Sequence, residues 1–299
     1  MNNTNNAGYK NAGLFCSLKD ATVDNLVIDS SCSFTGYSAG ALGVTVNGSV
    51  SVINTTNKAY VSGTQRVGGF IGFVQNLKQV ALFSFEGCVN YGKVTGKGGD
   101  AGGFVGVVDN TNITVTVSNC INNGIVSGMA YYVGGFVGRM KSSTNMIVTI
   151  FNFVNNGSVI GSSYCVGGFL GVIESNTNVT TTITNSTNNG AITGSGSVGG
   201  FVGTTYSVSS LMSVLLYITN GVNKGSVSAK KGIASGFVCG DFKYNYNVNT
   251  TIKNSINKGS VNANTSAYGI TNNITVARNV VSMGDVTGSS GSYTFWNAS

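Results

Sequence analysis

Apolar and polar residues alternate along this chain in short runs that asparagine and glycine interrupt. In one unit, Gly102 to Val108 reads as a strand and Asp109-Asn110-Thr111-Asn112 as a turn. Ile113 to Cys120 reads as a second strand, rich in β-branched residues at period two. Asn122-Asn123-Gly124 marks another turn. Ile125-Val126-Ser127-Gly128 is a short third strand, and a variable loop leads into the next Gly-Gly-Phe. Three short strands and three turns are the content of one coil of a β-helix.

The unit recurs about every 33 residues. Val67-Gly68-Gly69-Phe70-Ile71-Gly72 returns from Ala101, Val133, Val166 and Val198, and decays to Ser235-Gly236-Phe237-Val238-Cys239. The Phe70, Phe104, Phe136, Phe169, Phe201 and Phe237 positions extend outward to Leu14, Ala41 and Ile270, all apolar, which predicts a stacked interior ladder. On strand alternation Phe136, Gly138 and Met140 share one face, while Val137 and Arg139 share the other; Arg139 and Thr204, equivalent in position, mark that second face as nearer solvent.

An N-x-G-x-[VI] pattern repeats as faithfully at Asn90, Asn122, Asn155, Asn188, Asn223 and Asn257, with a weaker copy at Asn57. One asparagine per coil is expected to build an amide ladder along the axis. The glycine two residues on is expected to supply positive φ at a corner.

These patterns predict an all-β, right-handed parallel β-helix of about nine coils, roughly 40 Å long. Residues 1–299 read as a single solenoid: 1–66 as divergent coils, 67–262 as regular repeats, 263–299 as degenerate coils or a cap. The absence of proline fits a chain made of paired strands.

Composition narrows function mainly by exclusion. Charged residues are 8% of the chain, and the net charge of +7 comes from 16 scattered cations against 9 acids, with Lys230-Lys231 the one doublet. That scatter points away from nucleic acid, whose binders concentrate their cations. No apolar run reaches the roughly 18 residues of a transmembrane helix. Met1 to Lys10 is polar, without an apolar signal core. Six cysteines show no metal spacing. Cys88 and Cys120 share one register, later filled by Phe153 and Ser186, and read as buried small side chains, with a disulfide between them left open.

Catalytic chemistry finds little footing. With no histidine, Ser-His and Cys-His arrangements are excluded. Asp109 and Glu174 fall in equivalent turns two units apart, about 10 Å at the strand spacing, too far for a retaining carboxylate pair and marginal for an inverting one. Gly-Gly-Phe-Val-Gly brushes against a dinucleotide fingerprint but lacks its strand–turn–helix context. The expectation is no enzyme, no cofactor and no metal.

Ala12-Gly13-Leu14-Phe15-Cys16, then Ala21-Thr22-Val23-Asp24-Asn25-Leu26-Val27, then Ser38-Ala39-Gly40-Ala41-Leu42-Gly43 resemble the GLUG repeat of bacterial and protist surface proteins. The later V-G-G-F-V-G units with C-x-N-x-G-x-V-x-G are similar in form. A more distant likeness is to polymorphic membrane protein repeats. The GLUG resemblance implies a β-solenoid in large, often adhesin-like surface proteins, with no catalytic residues to carry over. Phe in place of the usual Leu departs from it.

The expected function is therefore a cell-surface or secreted repeat protein that recognises glycans or proteins. The alternatives are a structural spacer able to stack end to end or continue in a longer protein, and a polysaccharide-acting enzyme. Tyr131, Tyr132, Tyr164, Tyr206, Tyr244 and Tyr246, in or near variable loops, are the candidate contacts.

Overall fold

The computed structural model describes residues 10–76, 80–110, 112–129, 131–142, 145–162, 164–175, 178–207, 213–240, 247–272 and 274–293. Tyr244 and Tyr246 lie outside the described residues.

The described residues form an all-β parallel solenoid built of three sheets, one of 21 strands and two of nine. One turn comprises Val105–Asn110, Ile113–Ser118 and Ile121–Asn122 in the large sheet, Val126–Gly128 in the second and Tyr132–Gly134 in the third. Pairing is parallel and in register from turn to turn, as in Ile113, Met146, Val179, Val214 and Val248. Two expectations change here. The stretch before Gly-Gly-Phe is a strand rather than a free loop. Gly102 to Val108 is not one strand either: it breaks at Gly103-Phe104, where the chain passes from the third sheet into the large one.

About seven turns keep the period near 33 residues, fewer than the nine expected. Successive asparagines of the ladder from Asn57 to Asn257 are separated by 33, 32, 33, 33, 35 and 34 residues. The end turns are shorter: Thr64 bonds to Tyr37 27 residues back, and Asn257 to Ser282 25 residues on. The reason is local. In the regular turns two strands such as Ile71–Asn76 and Ala81–Glu86 are separated by a connection, whereas Phe15–Asp24 and Gly43–Ile53 run straight through. At the other end the first of those strands shrinks to single bridges at Val238 and Thr271.

The phenylalanines at 70, 104, 136, 169, 201 and 237 are fully buried, with ring centroids 4.9 Å apart for Phe70–Phe104 and 4.3 Å for Phe169–Phe201. Val94, Val126, Val159, Ile192, Val227 and Val261 close the core from the second sheet. Val137 joins Phe136 and Met140 in that core rather than facing away. Thr204 is buried too, because the third sheet covers that face instead of solvent. The cover lies close: a Cβ on Gly102 would come within 1.9 Å of the Val105 carbonyl oxygen.

Each ladder asparagine is inaccessible and fully bonded. The Asn122 carboxamide donates to Asn155 Oδ1 at 2.7 Å and to the Gly124 carbonyl at 3.0 Å, using both of its N–H groups. A buried amide with every donor paired carries no desolvation penalty of the kind an orphan would. The glycine two residues on is needed for space and not for φ, which corrects the expectation. A Cβ on Gly124 would sit 2.1 Å from the Gly92 carbonyl oxygen. Positive φ falls instead on a second asparagine column, Asn119, Asn152, Asn185 and Asn220 at 51–54°, continued by Asn25, Asn54, Asn254 and Asn279. Asparagine tolerates this left-handed backbone better than other side chains.

Candidate functional site

Where the third sheet lies against the large sheet, side chains from successive turns meet in registered columns. The third sheet contributes Arg66, Asp100, Tyr132 and Cys165. The large sheet contributes Phe73, Val107, Arg139 and Val172, and two residues further on Asp109, Lys141, Glu174 and Tyr206. Asp109 and Glu174 thus occupy one column, on strands rather than in turns, with Lys141 between them.

The central turns hold a polar cluster. Arg139 Nε donates to Glu174 Oε2 at 2.9 Å, and a guanidinium NH2 donates to the same oxygen. The Arg139 guanidinium also lies 5.4 Å from the Tyr132 ring centre. Against burial, the Glu174 hydrogen bond and charge hold the Arg139 pKa above its ordinary value. Tyr132 and Tyr206 share a side-chain hydrogen bond, and both phenols are pushed up, chiefly by burial. Asp100 is 7% exposed, and its Oδ1 has no partner among the described residues. Burial raises its pKa to about 6, with Arg139 and the Tyr132 backbone N–H pulling the other way.

The structure brings the four described tyrosines together. Tyr131 and Tyr164 are exposed and stack with centroids 5.8 Å apart and planes 14° from parallel. Tyr131 lies 6.3 Å from Tyr132, which reaches Tyr206. Their sequence positions concealed this, because Tyr131 and Tyr164 come from the corner before the third sheet and Tyr206 from the large sheet. Sequence reasoning missed Arg139 as a partner of the Tyr132 ring and Asp100 as a buried neighbour of the Tyr132 backbone; the signal available was that Asp100 stands just before Ala101-Gly102-Gly103-Phe104 and Arg139 just after Gly138. The phenylalanine and asparagine ladders lie inside and touch no solvent.

Among the described residues no three His, Cys, Asp or Glu side chains gather in a way that would hold a metal ion. Among the described residues no disulfide joins any of the cysteines. The Cys88 backbone N–H donates to Cys120 Sγ at 3.3 Å, and the Cys88 side chain followed by burial pushes the Cys120 thiol up. No helix among the described residues is long and apolar enough to cross a membrane.

No protein-family model matches the chain, and no curated protein matches it. Among solved structures it is similar to one named a "putative immunoglobulin A1 protease" from Bacteroides ovatus, at 23% identity and a TM-score of 0.45. The match covers 66% of this chain and 57% of that one. The chain therefore spans little more than half the length of that protein. The expectation that this chain is no enzyme is corrected and withdrawn, since a similar solved structure bears a protease name. The name describes that protein and assigns no reaction to the residues here.

Proposed function

We propose that this chain is a recognition module of a cell-surface or extracellular protein, which binds glycans or proteins through the tyrosine patch. The observation that carries this reading is the convergence of Tyr131, Tyr132, Tyr164 and Tyr206 from three sequence regions onto one outer surface, with Tyr131 and Tyr164 exposed. Exposed aromatic rings on a rigid scaffold bind apolar faces while their hydroxyls bond polar ones. The GLUG-like segments from Ala12 to Gly43 support a surface location, and the right-handed crossover preference supports a right-handed winding. On this reading residues 1–299 act as one unit.

The test is an array of glycans and surface proteins probed with the wild-type chain and with the Tyr131→Ala, Tyr164→Ala double variant. Hits lost in the variant support the reading. Hits retained at full strength remove the tyrosines from recognition.

A further inference from the structure

The corner between the second and third sheets carries the exposed tyrosine pair with exposed lysines on either side of it along the axis. Lys97 occupies this corner one turn before Tyr131, and Lys230 and Lys231 occupy it two turns after Tyr164. All three lysines are exposed. The acid of these corner segments is Asp100, which is buried beside Arg139. At the ordinary strand spacing Lys97 and Lys231 stand roughly 19 Å apart, with the tyrosines between them.

The described backbone on either side of the tyrosines is tied from turn to turn. Lys97 N–H bonds to the Gly63 carbonyl, Met129 N–H to Gly96, Lys230 N–H to Gly194 and Lys231 N–H to Ser195, all at 2.7–3.0 Å. The turn before Tyr131 contains Gly98 and Gly99, and the turn after Tyr164 contains Ser195 and Gly196. The outer faces of the stacked rings therefore border turns of glycine and serine. Towards the start of the chain the same corner opens into a cleft of about 460 Å³ between Lys10, Tyr37, Thr64 and Lys97.

We infer that this corner binds an anionic polysaccharide laid along the solenoid axis, its sugar rings against Tyr131 and Tyr164 and its charged groups at Lys97, Lys230 and Lys231. The inference rests on the recognition reading above and adds the ligand class and the direction of the chain. Flat rings select the apolar faces of pyranose units, and lysines placed on both sides of the rings select a polymer with acidic groups over a neutral one. Preorganised backbone at the corner lowers the ordering cost of binding.

The experiment is affinity electrophoresis of the full chain in gels containing polygalacturonate, dextran sulfate, unmodified dextran or duplex DNA. Retardation by polygalacturonate or dextran sulfate about tenfold stronger than by dextran is expected, and weakens as salt rises. Which of the two acidic polymers binds tells carboxylate from sulfate. Lys97→Gln with Lys230→Gln and Lys231→Gln, and separately Tyr131→Ala with Tyr164→Ala, should each weaken it about fivefold or more, while melting temperature stays within a few degrees. Equal retardation by DNA, or full retardation of the tyrosine variant, would mean attraction by net charge alone and overturns the inference. Tyrosine-dependent binding of dextran or of a protein overturns it too, but leaves the recognition reading standing.

Discussion

The Asn122 side chain donates to Asn155 Oδ1 across one turn at 2.7 Å, and Asn155 in turn donates to Asn188 Oδ1 at 2.8 Å. Removing Asn155 orphans the inward donor of one neighbour and the acceptor of the other, both fully buried. Asn155→Ala is expected to cost about 2–4 kcal/mol, a cavity included. Hydrogen exchange of the adjoining turns is the better readout, because long repeat arrays do not melt as two states.

The outer asparagine column responds differently. Asn152 sits at φ 51°, where a glycine fits and a β-carbon without a polar tip is strained. Asn152→Gly should leave the melting temperature within a few degrees of wild type, whereas Asn152→Ala should lose about 1 kcal/mol. Gly124→Ala, which collides with the Gly92 carbonyl, should be far worse than either. A thermal melt of the three variants orders them.

Thr181 Oγ1 is buried in the core without a partner among the described residues, at a position filled by Val148 and Leu216 in the adjoining turns. Thr181→Val keeps the shape and removes the unpaired hydroxyl. A gain of about 1 kcal/mol is expected from chemical denaturation.

Asp100 makes stability depend on pH. Its folded pKa of about 6 lies above the ordinary 3.8, so the folded state holds the proton more tightly than the unfolded chain does. The stability contributed by protonation is complete below pH 3.8 and is lost as pH rises towards 6 and above, an effect on the order of 3 kcal/mol. Asp100→Asn, neutral at every pH, should flatten this fall. Denaturation curves between pH 4 and 7 for both proteins measure it.

The thiols divide by exposure. Cys16 and Cys32 are exposed, and Cys88, Cys120, Cys165 and Cys239 are buried. Two fast equivalents should react with a thiol reagent in the native state and four more only on denaturation.

The stacking of this chain was plain in the sequence because the features that make it are periodic: Phe136 and Asn122 recur with fixed neighbours, and each recurrence is the same physical demand met again. What was hidden depends on which strand lies over which. Val137 and Thr204 were placed on the outer side by simple alternation, but the third sheet folds back across that face. The same fold-back brings Tyr132 to Tyr206, a contact no spacing rule announces, whereas Arg139 meets Glu174 diagonally across adjacent strands of the large sheet. Fewer than nine turns keep the 33-residue period because the end turns lose the connection between two strands while their alternation stays intact. The glycine of N-x-G was assigned to conformation when its task is clearance, and residue type alone does not separate the two.

The in-register pairing of each regular turn with the next has an evolutionary reading. Each regular turn presents to its successor the same edge that its predecessor presented to it, down to the single asparagine amide. Excising or duplicating one whole unit would rejoin matching edges and leave the cross-section unchanged. The molecule is in this sense a ruler whose length is editable in steps of one strand spacing, about 4.8 Å. Recombination between near-identical segments of its own gene could then vary how far a binding surface reaches without redesigning it.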